Sequence, residues 1–292
     1  MPRSTTTAPE SGWPPTFRAG WGPTAAFLLA FAGWTLVSVT ASGWVFGDLS
    51  TIEEGLWTIP SGMVQLGLAV LVLRYEGVDY RELGLDPGLV RPALVATGGV
   101  IIAVNVAALG LGLAAGTDIS VGVMEYYLSP PLDYSVPGVA VAAVAMYVFT
   151  GPVEELAIRG YLQNKIVSQA TVGSATAQTA IGICTAAAVF ALLHIPVYLV
   201  VRGVSLGALV GTLVVLAATG IIYGVVYAAT QNLYLVMCLH GIGNLWPLVI
   251  DPGPGIWPNY GVLLALYALL VVAYRRWPTG RQLRDGPRRT DG

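Results

Sequence analysis

Eight apolar segments, separated by short connections rich in polar, Pro and Gly residues, dominate the pattern of hydrophobic and polar positions along the chain. Each segment is close to the ~20 residues that an α-helix needs to cross a hydrocarbon core of about 30 Å. Turn-forming residues mark several boundaries, such as Pro130-Pro131 before the fourth segment. The pattern predicts an all-α, polytopic transmembrane bundle of about eight spanning helices, at residues 24–46, 56–73, 92–115, 137–163, 180–201, 206–229, 232–250 and 260–275.

Composition agrees with a membrane protein. The chain is 55% hydrophobic and 10% charged, with a mean hydropathy of +0.70, which lies outside the usage of soluble globular domains. We therefore expect a multi-pass protein of the cell membrane whose partners are membrane lipids and a peptide or protein substrate, with no nucleic-acid partner. Cys184 and Cys238 both lie in apolar segments and support neither a disulfide framework nor a cysteine metal site.

The distribution of basic residues predicts the orientation. If the N-terminus is cytoplasmic, Arg202 is the only one of the 14 Lys and Arg residues that falls on the opposite side. Both termini are then cytoplasmic. We expect residues 1–23 to be a disordered cytoplasmic lead, residues 24–275 the transmembrane domain and residues 276–292 a basic cytoplasmic tail, which either anchors the topology or binds anionic lipid headgroups.

Ionisable side chains interrupt the fourth apolar segment at Glu154, Glu155 and Arg159. Each costs at least ~2.5 kcal/mol at membrane depth, so such a cluster indicates a functional site. The two histidines of the chain, His194 and His240, also lie in apolar segments, the fifth and the seventh. These groups therefore belong to one region of the bundle.

Helical spacing assigns faces to these residues. Glu155 and Arg159 are four residues apart and share a face, as do His240 and Asn244. Glu154 points about 100° away from Glu155, so the two carboxylates cannot aim at one point. We expect Glu155 to pair with Arg159 as a structural group and Glu154 to face both histidines.

A carboxylate with two imidazoles can bind a metal ion or activate a water molecule, and an amide such as that of Asn244 can donate to a developing oxyanion. These are the parts of a hydrolase. Taken singly, each residue also fits a structural hydrogen bond between helices, and the set also fits an ion- or proton-coupled transporter or a non-catalytic membrane scaffold. The absence of a His-Glu-x-x-His element disfavours a site-2-type zinc protease.

The ordered motifs resemble the CAAX protease and bacteriocin-processing (CPBP, or Abi) family of intramembrane proteases, which includes the type II CAAX prenyl endopeptidases. The resemblance covers about residues 75–250, where Arg81-Glu-Leu-Gly-Leu85 is also similar to a feature common in that family. The family motifs are Glu-Glu-x-x-x-Arg, Phe-x-x-x-His and His-x-x-x-Asn, matched here by Glu154, Glu155 and Arg159, by Phe190 and His194, and by His240 and Asn244.

The resemblance implies an eight-helix protease-like domain at residues 24–275, with its motif-bearing part at about 150–250, that cleaves peptide bonds within the membrane and is reached from the cytoplasm. It implies that Glu154 and His194 activate the attacking water and that His240 and Asn244 stabilise the oxyanion. Glu155, Arg159 and Phe190 would support them. It leaves open the substrate, its prenylation and whether a divalent metal such as zinc takes part.

Overall fold

The computed structural model describes residues 13–18, 20–46, 50–116, 120–121, 125–126, 136–246, 250–251 and 256–276. Every predicted apolar segment contains a helix, so the predicted all-α bundle is confirmed. The helices are α1 (Gly22–Phe46), α2 (Thr51–Glu76), α3 (Val90–Ala115), α4 (residues 136–169), α5 (Ala175–Leu193, followed by a wide turn at Val197–Val201), α6 (Leu206–Thr230), α7 (Leu233–Asn244) and α8 (Ile256–Arg276), with short 3₁₀ helices at Tyr80–Leu83 and Pro87–Leu89.

Six helical stretches within these described ranges are long and apolar enough to cross a membrane, judged by length and composition. They correspond to α1–α6, and the chain is therefore a multi-pass membrane protein. The apolar parts of the last two helices, Leu233–Asn244 and Gly261–Ala273, are shorter. Eight complete spans and the cytoplasmic placement of both termini stay predictions.

Helix α2 begins earlier than its apolar pattern because Ser50 caps it. The Ser50 hydroxyl accepts a hydrogen bond from the Glu53 backbone N–H, and the Glu53 carboxylate accepts one from the Ser50 N–H. This reciprocal arrangement satisfies donors that the first turn leaves unpaired. It also places Glu53 and Glu54 inside the first turn of α2 rather than in a loop.

Helix α4 carries the predicted charged cluster and changes its winding on both sides of it. Two π-helical turns, Val144–Thr150 and Leu156–Gln163, flank the α-helical stretch Gly151–Glu155. Pro152 opens that stretch and has no N–H to donate. π-helical turns are frequent at functional sites, since each re-aims the side chains that follow it. Gly151 and Pro152 therefore lie between two widened turns of α4.

Glycines recur inside the apolar segments, a pattern that predicts close helix packing, but only some of them lie against a neighbouring helix. Cβ atoms added at Gly220 and Gly224 of α6 would meet α4 and α5 side chains at 2.8–3.4 Å. These two glycines therefore allow the close helix packing that is expected in a membrane, where lipid supplies no hydrophobic driving force for helices to associate. Others that the pattern favoured have no neighbour within 4 Å of an added Cβ: Gly98, Gly99, Gly110, Gly207 and Gly211.

In the described parts of the α3–α4 and α7–α8 connections, four two-residue strands join one connection to the other, which the sequence pattern did not predict. They are β1 (Ser120–Val121), β2 (Glu125–Tyr126), β3 (Leu245–Trp246) and β4 (Ile250–Asp251), with β1 antiparallel to β4 and β2 antiparallel to β3. Helix α7 therefore ends at Asn244, before the end of its apolar segment at residue 250, because the chain becomes extended at Leu245.

The described part of the N-terminal lead packs on the bundle, which corrects the expected disorder of residues 1–23 for residues 13–18. Phe17 is buried and lies edge-on to Tyr161 of α4, with 5.9 Å between ring centroids. The Arg18 backbone N–H donates to Glu76 of α2 at 2.9 Å. Residues 1–12, and the expected basic tail after Arg276, lie outside the described residues.

Candidate active site

Helices α4, α5 and α7 bring Glu154, His194 and His240 to one point. Glu154 Oε2 lies 3.5 Å from His240 Nε2 and 3.9 Å from His194 Nε2. The Glu154 and His194 side chains are each about one-fifth exposed, at 20% and 22%, whereas that of His240 is 4% exposed. Residues distant in sequence therefore meet as the helical faces predicted.

Two glycines allow α4 and α7 to approach closely enough for this meeting. A Cβ added at Gly151 would lie 2.8 Å from the Met237 carbonyl oxygen of α7. One added at Gly241 would lie 2.5 Å from the ring of Tyr147 on α4. Both glycines are near the site in sequence, beside the paired carboxylates and His240, so backbone contact here sets the distances between the functional side chains.

Glu155 has two partners. The expected ion pair with Arg159 is confirmed, with Arg159 donating to Glu155 Oε1 at 2.7 Å and both side chains almost fully buried. The same oxygen also lies 2.6 Å from His240 Nδ1. Arg159 additionally donates to the Gly220 carbonyl of α6 at 2.9 Å. The contact between Glu155 and His240 was not foreseen, because helical phase fixes neighbours on one helix but not across helices.

The partners of the two Nδ1 atoms define which nitrogen of each imidazole carries a proton. His194 Nδ1 is 2.8 Å from the Phe190 carbonyl, which can only accept, so Nδ1 donates. His240 Nδ1 likewise donates to the Glu155 carboxylate, which already accepts from Arg159. In their neutral forms both histidines therefore turn an accepting Nε2 towards Glu154.

When both imidazoles are neutral, three accepting atoms thus face one another. Among the described residues, Glu154 Oε2 is buried without a hydrogen-bond partner, and 3.5–3.9 Å is too long for a good direct bond to either imidazole. A water molecule placed between these atoms would donate hydrogen bonds to two of them. The arrangement is therefore suited to holding and polarising water.

Aromatic rings enclose the cluster. Tyr223 of α6 stacks on His240 with 5.2 Å between centroids, and Phe190 lies edge-on to His194 at 4.6 Å. The Arg159 guanidinium lies 5.0 Å from the Phe190 ring centroid and 5.6 Å from that of Tyr223, within cation–π range. Sequence reasoning placed Phe190 beside the site but missed Tyr223, whose position on α6 carries no polar motif.

A cavity of about 560 Å³ opens onto the cluster. Its lining includes Glu154, His194, His240 and Asn244. Asn244 stands one helical turn after His240, as its spacing predicted, so its side chain is available to a ligand in the cavity. The oxyanion role of Asn244 stays a prediction.

The donors do not form a metal site as they stand. Within the described ranges, no three His, Cys, Asp or Glu side chains are arranged so that they could hold a metal ion. Glu154 and the two histidines fall short of such a set, and Cys184 is exposed away from them on α5. The divalent metal, such as zinc, that the sequence left open stays an expectation.

Residues 136–246 match the family model described as Rce1-like, type II CAAX prenyl endopeptidase Rce1-like. Neither the curated proteins nor the solved structures provide a match to the chain. The matched region contains α4–α7 and with them every motif residue of the site. The match supports the resemblance that the motifs indicated: the chain is a multi-pass membrane protein that is similar, over residues 136–246, to the type II CAAX prenyl endopeptidases.

Proposed function

We propose that the protein is a membrane-embedded endopeptidase of the cell membrane that hydrolyses a peptide bond with a water molecule held by Glu154 and His194. The observation that carries this proposal is the convergence of Glu154 Oε2 with two imidazole Nε2 atoms at 3.5 and 3.9 Å, beside a cavity of about 560 Å³. The match to a family of prenyl endopeptidases supports the same chemistry.

In the proposed first step, a water molecule donates one hydrogen to Glu154 and one to His194 Nε2. Its oxygen attacks the substrate carbonyl carbon as Glu154 takes the proton, which is general base catalysis. A new C–O bond forms, and the carbonyl oxygen becomes an oxyanion. The carbonyl must lie within about 3–3.5 Å of the held water for this attack.

His240 and Asn244 stabilise that oxyanion in the proposal. Protonated at both nitrogens, His240 donates Nδ1–H to Glu155 and Nε2–H to the oxyanion, while the Asn244 amide donates a second hydrogen bond. The charges support this state. Glu154 and Glu155 with Arg159 leave one negative charge, which a single imidazolium balances in an interior where net charge is costly.

Collapse of the tetrahedral intermediate completes the reaction. The C–N bond breaks, and the leaving nitrogen receives the proton that Glu154 accepted from water. The products are one new carboxylate and one new amine, with the oxygen of water in the carboxylate. The substrate is a peptide or protein at the membrane, because the site lies on the spanning helices α4 and α5.

The test compares membranes from cells that express the wild-type protein or the Glu154→Gln variant. New peptide termini are identified by mass spectrometry after incubation in water enriched in oxygen-18. We expect termini that depend on the wild-type protein and carry one heavy oxygen in the new carboxylate. Glu154→Gln is expected to lower their rate of formation about 10²–10⁴-fold, the usual contribution of a general base.

The matched control is Glu82→Gln, which makes the same substitution at an exposed carboxylate outside the cavity. It should cleave at the wild-type rate. Retained cleavage by Glu154→Gln at an equal amount of folded protein would remove the proposed base, and termini without heavy oxygen would exclude hydrolysis by water.

A further inference from the structure

The cavity reaches only one end of the bundle. It is lined by the second half of α1 and the first half of α2, and likewise by the C-terminal end of α5 and the first half of α6. Connection 47–50 joins α1 to α2, and connection 202–205 joins α5 to α6. The parts of these four helices that line the cavity therefore lie at the same end of the bundle. We name the end that carries these two connections the open end, and the end that carries residues 77–89 and 170–174 the closed end.

Polar groups mark the wall of the cavity near the open end. Arg202, at the end of the wide turn after α5, pairs with Glu54 on the first turn of α2 at 2.9 Å, and the side chains are 16% and 21% exposed. Deeper on the wall, Ser38 and Ser61 share a hydrogen bond at 2.7 Å. Such side chains on spanning helices are costly against lipid, which indicates that water enters the cavity from this end.

A fully buried polar layer separates the cluster from the closed end. Lys165 on α4 pairs with Glu76 on α2 at 2.9 Å, and both side chains are 0% exposed. Tyr161 donates to the same carboxylate at 3.2 Å. The N-terminal lead covers the layer, since Lys165 donates to the Arg18 carbonyl at 2.6 Å and Trp13 donates to Asn164 at 3.0 Å. Among the described residues, this end is packed shut.

Basic residues concentrate at the closed end. The positive-inside tendency places such an end in the cytoplasm and the open end on the other side of the membrane. The open end carries Glu53 and Glu54 but a single arginine. The basic residues at the closed end of the described helices and turns are Arg18, Arg74, Arg81, Arg91, Lys165 and the Arg275-Arg276 pair.

We infer that the candidate site is entered from the non-cytoplasmic side, past the Glu54–Arg202 pair, and that its substrates are exported or membrane-anchored polypeptides whose scissile segment lies on that side. This route is opposite to the cytoplasmic entry that the family resemblance implies. The substrate class rests on the proposed peptide hydrolysis. The route rests on the cavity and the charges alone, and it can be tested without any activity.

The experiment measures the accessibility of single cysteines in full-length protein that carries Cys184→Ala and Cys238→Ala. Thr58→Cys and Thr212→Cys report on opposite walls of the cavity, and Arg81→Cys reports on the closed end, where its side chain is 72% exposed. A membrane-impermeant, anionic methanethiosulfonate is added to intact cells or to inverted vesicles. We expect the two cavity cysteines to react in intact cells and Arg81→Cys to react only in inverted vesicles.

Val214→Cys is the matched control for the cavity. Val214 lies on α6, two residues from Thr212, and is 63% exposed outside the cavity, towards lipid. We expect it to react at least tenfold more slowly than Thr212→Cys from the outside. External modification of Thr212→Cys should also lower cleavage at least tenfold, whereas the same treatment of Val214→Cys should leave cleavage unchanged.

Three results would overturn the inference. The first is that the cavity cysteines are labelled from the side that labels Arg81→Cys. The second is that the cavity cysteines are labelled no faster than Val214→Cys. The third is that Arg81→Cys is labelled in intact cells. Failure of the proposed hydrolysis is distinguishable, because the labelling pattern would then be as expected while the oxygen-18 termini are missing.

Discussion

Two adjacent carboxylates have different surroundings at this site. The Glu154 side chain is 20% exposed to the cavity, whereas that of Glu155 is 0% exposed and contacts Arg159 and His240. The difference follows from the rotation of about 100° between neighbouring positions on a helix. One carboxylate is therefore placed to meet substrate and water, and the other to hold Arg159 and His240 in position.

Glu155→Gln is expected to destabilise the protein. The variant leaves the buried Arg159 guanidinium without its countercharge, and breaking a buried pair by removing one partner costs about 3–5 kcal/mol. Thermal unfolding of the purified protein in detergent should show a midpoint several degrees below that of the wild type. Cleavage should also fall, since His240 loses the carboxylate that accepts from its Nδ1.

Glu154→Gln is the matched comparison for this measurement. Its carboxylate is partly exposed and holds no arginine, so the amide should leave the unfolding midpoint at the wild-type value while lowering cleavage about 10²–10⁴-fold. A Glu155→Gln protein that unfolds with the wild type would show that the buried pair does not stabilise the bundle.

Helical spacing predicted part of this site and could not predict the rest. The pairing of Glu155 with Arg159 follows from four residues on one helix, and it is confirmed at 2.7 Å. The second contact of Glu155, with His240, depends on how α4 and α7 are rotated against each other, which no local pattern encodes. Tyr223 was missed for the same reason, since a tyrosine in an apolar helix fits any packed interface.

The contact between α4 and α7 determines the geometry of the candidate site. Gly151 lies against the Met237 carbonyl, and Gly241 against Tyr147, so both backbones sit where any side chain would separate them. The apolar pattern predicted these helices but favoured other glycines for close packing. Which glycine meets a neighbour depends on the three-dimensional arrangement of helices, and a Cβ added at Gly98, Gly110 or Gly207 would meet nothing within 4 Å among the described residues.

Gly151→Ala is expected to lower cleavage about tenfold to a hundredfold. The added Cβ would lie 2.8 Å from the Met237 carbonyl and 3.3 Å from the Gly241 nitrogen, both backbone atoms, so α4 must move away from α7. A shift of about 1 Å between reacting groups costs on the order of 10²-fold in rate. Initial rates of terminus formation, at equal amounts of folded protein, measure the effect.

The control substitution is Gly99→Ala on α3, where an added Cβ has nothing within 4 Å. It should cleave at the wild-type rate and raise stability by up to about 1 kcal/mol, because alanine restricts the unfolded chain and favours helix. Equal rates for the two alanine variants would show that the α4–α7 distance does not control the site.

At the scale of the whole molecule, the two ends of the bundle differ in construction. The open end holds a cavity with hydrogen-bonded polar walls, and the closed end is sealed by Glu76, Lys165 and the packed residues 13–18. The bundle and the charge asymmetry could be predicted from the sequence, because apolar length and the placement of basic residues are local properties. The seal could not, since Pro- and Ser-rich residues near a terminus are typical of disorder.

The sealing ion pair gives a prediction at this scale. Lys165→Met leaves the Glu76 carboxylate buried without a cation, and Glu76→Gln leaves the Lys165 ammonium without an anion, so each should cost about 3–5 kcal/mol. The double variant buries no unpaired charge, and the amide oxygen that Glu76→Gln introduces can still accept from the Arg18 N–H that Glu76 now binds. Its unfolding midpoint in detergent should therefore return most of the way to the wild-type value. A double variant that is as unstable as the sum of the single variants would show that Glu76 and Lys165 act independently, and that the end is held shut by apolar packing of Phe17 and Tyr161 instead.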